Sequence, residues 1–190
     1  SLKFGLQSLV AILVMFGLVY SGHVAPAICF PFFKYVCLWL GWLYILWAAF
    51  VIVGCSNAVN LTDGLDGLAI GSLIPNFAIF SIIAYLAGHR FFAYHLHIPF
   101  VHTDQMAIIG AILVGASLGF LWFNTYPAQI FMGDVGSLAL GSALAYLALV
   151  CKQEFLLIIA GGLFVVETVS VIMQVASFKL FALGFIFTTD

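Results

Sequence analysis

The spacing of charged residues constrains this chain more than any other feature. No formally charged residue occurs between Lys3 and Lys34, between Lys34 and Asp63, between Asp66 and Arg90, or between Asp104 and Asp134. Crossing the hydrocarbon core of a bilayer takes about 20 mostly apolar residues in a helix, and each interval can hold one such span. Apolar density places spans at residues 4–20, 39–56, 68–87, 106–123, 137–150 and 155–176. The last carries Glu167 near its middle, a group so costly in lipid that it must face protein or a groove. With 65% hydrophobic and 6% charged residues among 190, the chain cannot clothe a water-exposed globule. The expected fold is all-α, a polytopic transmembrane bundle of about six spans. Residues 1–180 are read as a single transmembrane domain and 181–190 as an atypical tail. No small-residue cleavage site follows the first apolar run, so it reads as a span and not as a signal peptide. A net charge of −2 with isolated basic residues excludes nucleic-acid binding, which needs a basic patch.

Six alternating spans sort the connections. Residues 21–38, 88–105 and 151–154 fall on one side, and residues 57–67, 124–136 and 177–180 on the other. Lys34, Arg90 and Lys152 stand against Lys3 and Lys179, a count too even to orient the bundle. On the first side, the alternation in FFAYHLHIPFV suggests a short hairpin near residues 91–102. A zinc site of His95, His97 and His102 is the weaker reading, since no other ligand but Asp104 is near. Cys29, Cys37, Cys55 and Cys151 have no metal spacing, and small apolar packing is their default. A Cys29–Cys37 disulfide becomes available if that side is oxidising. The pairs Gly67/Gly71 and Gly115/Gly119 read as places of close helix approach.

Candidate chemistry gathers on the second side. In NAVNLTDGLDG the residues Asn57, Asn60, Asp63 and Asp66 recur every third position, with Thr62 among them, so on a helix they drift round one half toward a common neighbour. Gly64 and Gly67 interrupt that helix and let backbone approach a ligand. Helix caps and turns explain any one of these residues. Two carboxylates and two amides within ten residues, in a chain of seven acids, favour a site. The second stretch, NTYPAQIFMGDVGS, places Asp134 beside Gly133 at the start of an apolar helix. There a carboxylate caps the helix, or it holds magnesium while adjacent amides meet a phosphate. Together Asp63, Asp66 and Asp134 are expected to form a three-carboxylate cluster suited to a divalent cation bridging phosphate oxygens. An ion- or proton-coupled transporter using Asp63, Asp66 and Glu167 is the alternative; its site would sit near the bilayer midplane, and no internal repeat is visible.

NAVNLTDGLDGLAIG, FLWFNTYPAQIFMGDVGSLALG and KQEFLLIIAGGLFVVETVSVIMQVASFKL, with HIPF at 97–100, resemble the phospho-N-acetylmuramoyl-pentapeptide-transferase (translocase I) family. These enzymes belong to the polyprenyl-phosphate N-acetylhexosamine-1-phosphate transferases. The likeness implies transfer of phospho-MurNAc-pentapeptide from UDP-MurNAc-pentapeptide to undecaprenyl phosphate, giving lipid I and UMP with Mg2+. It also implies a bacterial inner-membrane enzyme with cytoplasmic active-site loops. Its partners would be both substrates, membrane lipid and, in a homodimer, a second copy of the chain. By the same likeness Asp134 is similar to the essential magnesium ligand, while Asp63, Gly64, Leu65, Asp66, Asn124 and Phe131 match nucleoside-pocket positions. Phe131 is expected to stack on uracil, Asn124 and Asp66 to meet its edge, Asn60 to hold the neighbouring network, and Gly133 to offer backbone near the phosphates. The family's DDxxK and His-rich motifs do not occur, and FALGFIFTTD after Leu180 departs from its pattern. The chain is therefore expected to represent the family's middle half and to be inactive by itself.

Overall fold

In lipid a backbone must satisfy its own polar groups, which restricts spanning structure to helices and closed barrels. The computed structural model describes residues 2–30, 37–96 and 98–187, and its apolar intervals are helices. These are α1 (Leu2–Tyr20), α2 (Leu43–Thr62), α3 (Leu68–Gly88), α4 (Arg90–His95), α5 (Asp104–Asn124), α6 (Gly133–Val150), α7 (Glu154–Ala160) and α8 (Gly162–Phe187). Strands β1 (Ala27–Cys29) and β2 (Cys37–Trp39) pair antiparallel between α1 and α2. Helices α1, α2, α3, α5 and α6, with Gly162–Lys179 of α8, are each long and apolar enough to cross a membrane. The protein is a multi-pass, all-α membrane protein.

Helix α2 is the hub, packing against α1, α6 and α8, while α3 pairs chiefly with α5. Tyr44, Ala48, Ile52 and Val59 of α2 meet Leu144, Leu147 and Ala148 of α6 and Phe77 and Phe80 of α3 in one buried cluster. Helices α1, α5 and the spanning part of α8 bury little of themselves. Close approach occurs at other glycines than the two paired motifs suggest. A Cβ at Gly141 would lie 2.8 Å from Ser56 Cα, and one at Gly110 would lie 2.7 Å from Ser81 Cβ, whereas Gly71, Gly115 and Gly119 face nothing within 4 Å. The small-xxx-small pattern is therefore not the packing seam. Gly67, at φ 75°, instead makes the left-handed turn into α3.

Several boundaries differ from the sequence reading, each for a local reason. The second span starts at Leu43, after Gly41 at φ 56°, and runs to Thr62. Its polar end stays helical because Asn57 donates to the Val53 carbonyl (2.8 Å) and Thr62 to that of Ala58 (2.9 Å). The sixth span begins at Gly162, because the weak helix formers Gly161 and Gly162 separate it from α7. The hairpin expected near 91–102 is helix α4. There His95 Nδ1 donates to the Phe91 carbonyl (2.8 Å), and the chain then folds back through Ile98 N–H to the Ala93 carbonyl (3.2 Å). Aromatic contacts at four-residue spacing, such as Phe91 with His95 at 4.3 Å between centroids, suit a helix, and no strand occurs among the described residues of that connector. The paired strands are instead β1 and β2, where Cys29 and Cys37 are disulfide-bonded and so do not simply pack as small apolar groups. Lys34, His97 and residues 188–190 of the tail lie outside the described residues.

Candidate functional site

Five chain segments meet where α2 ends. Helix α2 brings Asn57 and Asn60 on its last turns, and Asp63 caps it, donating its N–H to the Val59 carbonyl at 3.1 Å. The turn 63–67 leads to α3, the 124–133 loop leads from α5, and α6 begins at Gly133, held at φ 63°. The start of α1 supplies Lys3 and Gln7. Hydrogen bonds between them gather these segments at one end of the bundle.

Asp134 is the meeting point. One carboxylate oxygen accepts from Lys3 Nζ at 2.8 Å and the other from Asn60 Nδ2 at 3.0 Å. The Asn60 amide also donates to Ser137 Oγ at 2.8 Å, and Ser137 returns a bond to the Gly133 carbonyl at 2.9 Å. The carboxylate is thus steered by α1, α2 and the first turn of α6 at once, yet its side chain stays 71% exposed. The N-cap position of α6 is Met132, so Asp134 lies inside the first turn, and its carboxylate bonds to Lys3 and Asn60. Asn57 donates to Gln7 Oε1 at 3.0 Å, which fastens α1 to α2 one turn deeper.

The two acidic stretches are also tied to each other. Asp66 Oδ2 accepts from the Ala128 N–H at 3.0 Å. Asn124 is buried, accepting from Gly67 N–H (3.1 Å) and donating to the Ile130 carbonyl (2.8 Å). Its amide is spent on joining the turn to the loop. Leu65 and Phe131 are 70% and 73% exposed, and Gly64 has open space where a Cβ would sit. Partial burial lifts the Asp63 carboxyl above the usual carboxylate range, and the negative charge of Asp134 lifts it further.

The expected three-carboxylate cluster is therefore only partly assembled. Among the described residues no three His, Cys, Asp or Glu side chains converge at metal-ligand geometry. Asp66 turns to the Ala128 amide, and Asp63 and Asp134 alone share a field. The remaining donors still fit a hard cation, because carboxylate and amide oxygens are the ligands magnesium prefers, and Asp134 is solvent-accessible. Sequence reasoning passed over Lys3, Gln7 and Ser137. Lys3 alone left a signal, as the one cation set beside the first span on the acidic side.

Residues 1–152 match the family described as Glycosyl transferase family 4. Two phospho-N-acetylmuramoyl-pentapeptide-transferases of Nitratidesulfovibrio vulgaris, from strains DP4 and Hildenborough, are each 56% identical over 180 residues, covering 94% of this chain and 50% of the relative. The chain spans about half the length of the curated relatives it matches.

Proposed function

The chain belongs to glycosyl transferase family 4, and from that premise we propose that its Asp134 site works in the transfer of phospho-MurNAc-pentapeptide from UDP-MurNAc-pentapeptide to undecaprenyl phosphate, releasing UMP and forming lipid I. The observation that carries this reading is the grip of Lys3 and Asn60 on Asp134 at the membrane edge. A soluble pyrophosphate donor and a lipid phosphate acceptor must meet at such an edge, and phosphoryl transfer depends on positioned charge there. Asp134, with Asp63 in its field, would hold magnesium. When bound, the cation supplies neutralisation of the pyrophosphate charge. Lys3 keeps Asp134 ionised and aimed, and it presents an ammonium to incoming phosphate. Asn60 fixes the rotamer of Asp134 by a direct bond, its own amide anchored on Ser137.

The nucleoside end of the donor is read onto the second half of the site. Phe131 offers an exposed ring face for uracil, flanked by Leu65 and the open backbone at Gly64. Asp66 and Asn124 hold the turn and the loop at fixed separation, while Gly133 brings backbone to the start of α6. The homologous enzymes named above support the substrates by their names alone. No observation here supports a homodimer. The transporter reading lacks support as well, since Asp63 and Asp66 stand at one edge and not at mid-membrane.

We place the chain in the bacterial inner membrane with the Asp134 face cytoplasmic. The Cys29–Cys37 disulfide on the opposite face belongs to an oxidising compartment. The deciding experiment is UMP release by the complete reading frame carrying Asp134→Asn. This change keeps the size of the exposed side chain and one acceptor oxygen and removes the charge, so turnover should fall at least on the order of 100-fold with melting essentially unchanged. Near-normal turnover of the folded variant would reduce Asp134 to a structural role.

A further inference from the structure

Lys3, Gln7, Ala11 and Met15 stand four residues apart on α1, so they lie along a single ridge of the helix. At its deep end Ala11 and Met15 are 3% and 0% exposed and belong to the same buried cluster as Ala49, Ile52 and Val53 of α2. The outer end is polar. Gln7 Oε1 accepts from Asn57 Nδ2 at 3.0 Å, and one helical turn further out Lys3 Nζ donates to Asp134 at 2.8 Å. On α2 the corresponding residues, Asn57 and Asn60, are three apart, so the two polar contacts are neighbouring rungs between the same helix ends. Little else holds α1, because Ala11 and Met15 are its only buried residues. Among the described residues, the bonds of Gln7 and Lys3 are the only side-chain hydrogen bonds it makes to another helix.

We propose that Gln7, held by Asn57, is a positioning residue for the reaction at Asp134: it sets the rotation and height of α1 so that the Lys3 ammonium meets the Asp134 carboxylate. The inference rests on the proposed role of the Asp134 site. Apolar packing such as that of Ala11 and Met15 is non-directional and lets a helix turn or slide, whereas a hydrogen bond between side chains fixes distance and angle. The Lys3–Asp134 pair cannot supply that register itself, because both side chains are substantially exposed and such pairs are weak. Stability does not account for the Gln7–Asn57 bond either. Gln7 Nε2 is sealed from solvent without a partner among the described residues, and a buried unpaired donor costs free energy that offsets the gain at Oε1. What the bond adds is geometry, one turn below the group that needs it.

The test uses the complete reading frame in detergent and begins without magnesium or substrate. A water-soluble carbodiimide joins an amine to a carboxylate in contact with it, and mass spectrometry measures the yield of the Lys3–Asp134 amide. Gln7→Met keeps the side chain's length and loses the acceptor. It should lower that yield about threefold, the average strength of a hydrogen bond between membrane helices, with melting unchanged or slightly raised. UMP release should fall roughly three- to tenfold. Lys3→Met should lose more, and adding Gln7→Met to it should cost nothing further, because both act through one ammonium. A residue that only stabilised the fold would lower melting and would add its loss to that of Lys3→Met. Gln7→Asn, too short to reach Asn57, should repeat the Gln7→Met result and replaces that variant if it does not fold. Unchanged cross-linking, unchanged turnover, or full additivity with Lys3→Met overturns the inference. Losses in Lys3→Met and Asp134→Asn beside a normal Gln7 variant sink it alone, whereas near-normal turnover in both of those sinks the Asp134 reading and this inference together.

Discussion

Lys3 and Asp134 stand 131 positions apart in the chain and 2.8 Å apart in space. Because both side chains are substantially exposed, their pairing adds little to folding. Its consequence is orientation: Asn60 holds one carboxylate oxygen of Asp134 and Lys3 the other. Replacing Lys3 by Met should leave the melting temperature essentially unchanged. In the complete enzyme it should lower turnover roughly 10- to 100-fold, the loss expected when a group that orients a metal ligand is removed. Lys3→Arg should recover part of that loss, because it restores a cation at the same carboxylate. UMP-release kinetics on melting-matched variants would decide, and equal rates for Met and wild type would make the ion pair incidental. The three aspartates were legible in the sequence because charge is so scarce here that every acid stands out. Lys3 was legible only as a cation on the acidic side, since nothing local links it to a carboxylate 131 positions away.

At the scale of elements, sequence reading succeeded where length and apolarity decide and failed where packing decides. The spans follow from the charge-free intervals alone. Glycine pairs spaced four apart in Gly67/Gly71 and Gly115/Gly119 look like packing seams, but only the three-dimensional register identifies which glycine meets a neighbour. Gly141 sits against α2, where a Cβ would lie 2.8 Å from Ser56 Cα and 2.9 Å from the Cys55 carbonyl oxygen. Neither atom belongs to a side chain that can move aside. Gly141→Ala should therefore destabilise by about 1–3 kcal/mol, the usual cost of overpacking. Gly115→Ala meets open space and should be neutral or stabilising by up to about 1 kcal/mol, since alanine is the better helix former. Thermal melts in detergent distinguish the two, and equal effects would mean that the α2–α6 contact is looser than it is drawn. The β-hairpin was missed for a related reason: three-residue strands carry too little period to read, and only Cys29 and Cys37 hinted at the pairing.

For the molecule as a whole, the open question is which face meets the cytoplasm. The count of basic residues does not answer it, and the structure weakens that count further, because Lys152 is buried on hairpin carbonyls and is no loop charge. The proposed cytoplasmic placing of the Asp134 face draws its support from chemistry on the two faces. One face carries exposed Asp134 and Phe131, and the other carries a hairpin closed by a disulfide that a reducing cytosol would not maintain. Labelling can use the natural chain as background, since Cys29 and Cys37 are bonded, Cys151 is buried, and Cys55 lies within the α2 span. Thr62 and Thr103 look like suitable probe sites from sequence but are buried, so Gln129 and Gln105, both exposed, take their places. Gln129→Cys should resist a membrane-impermeant maleimide in intact cells and react after lysis, whereas Gln105→Cys should react in intact cells. Alkylation under denaturing conditions should modify Cys29 and Cys37 only after reduction. Labelling of both probes from the same side would break the alternation of spans. Exchange of their behaviour, with free thiols at Cys29 and Cys37, would turn the molecule over and put Asp134 out of reach of a cytoplasmic nucleotide donor.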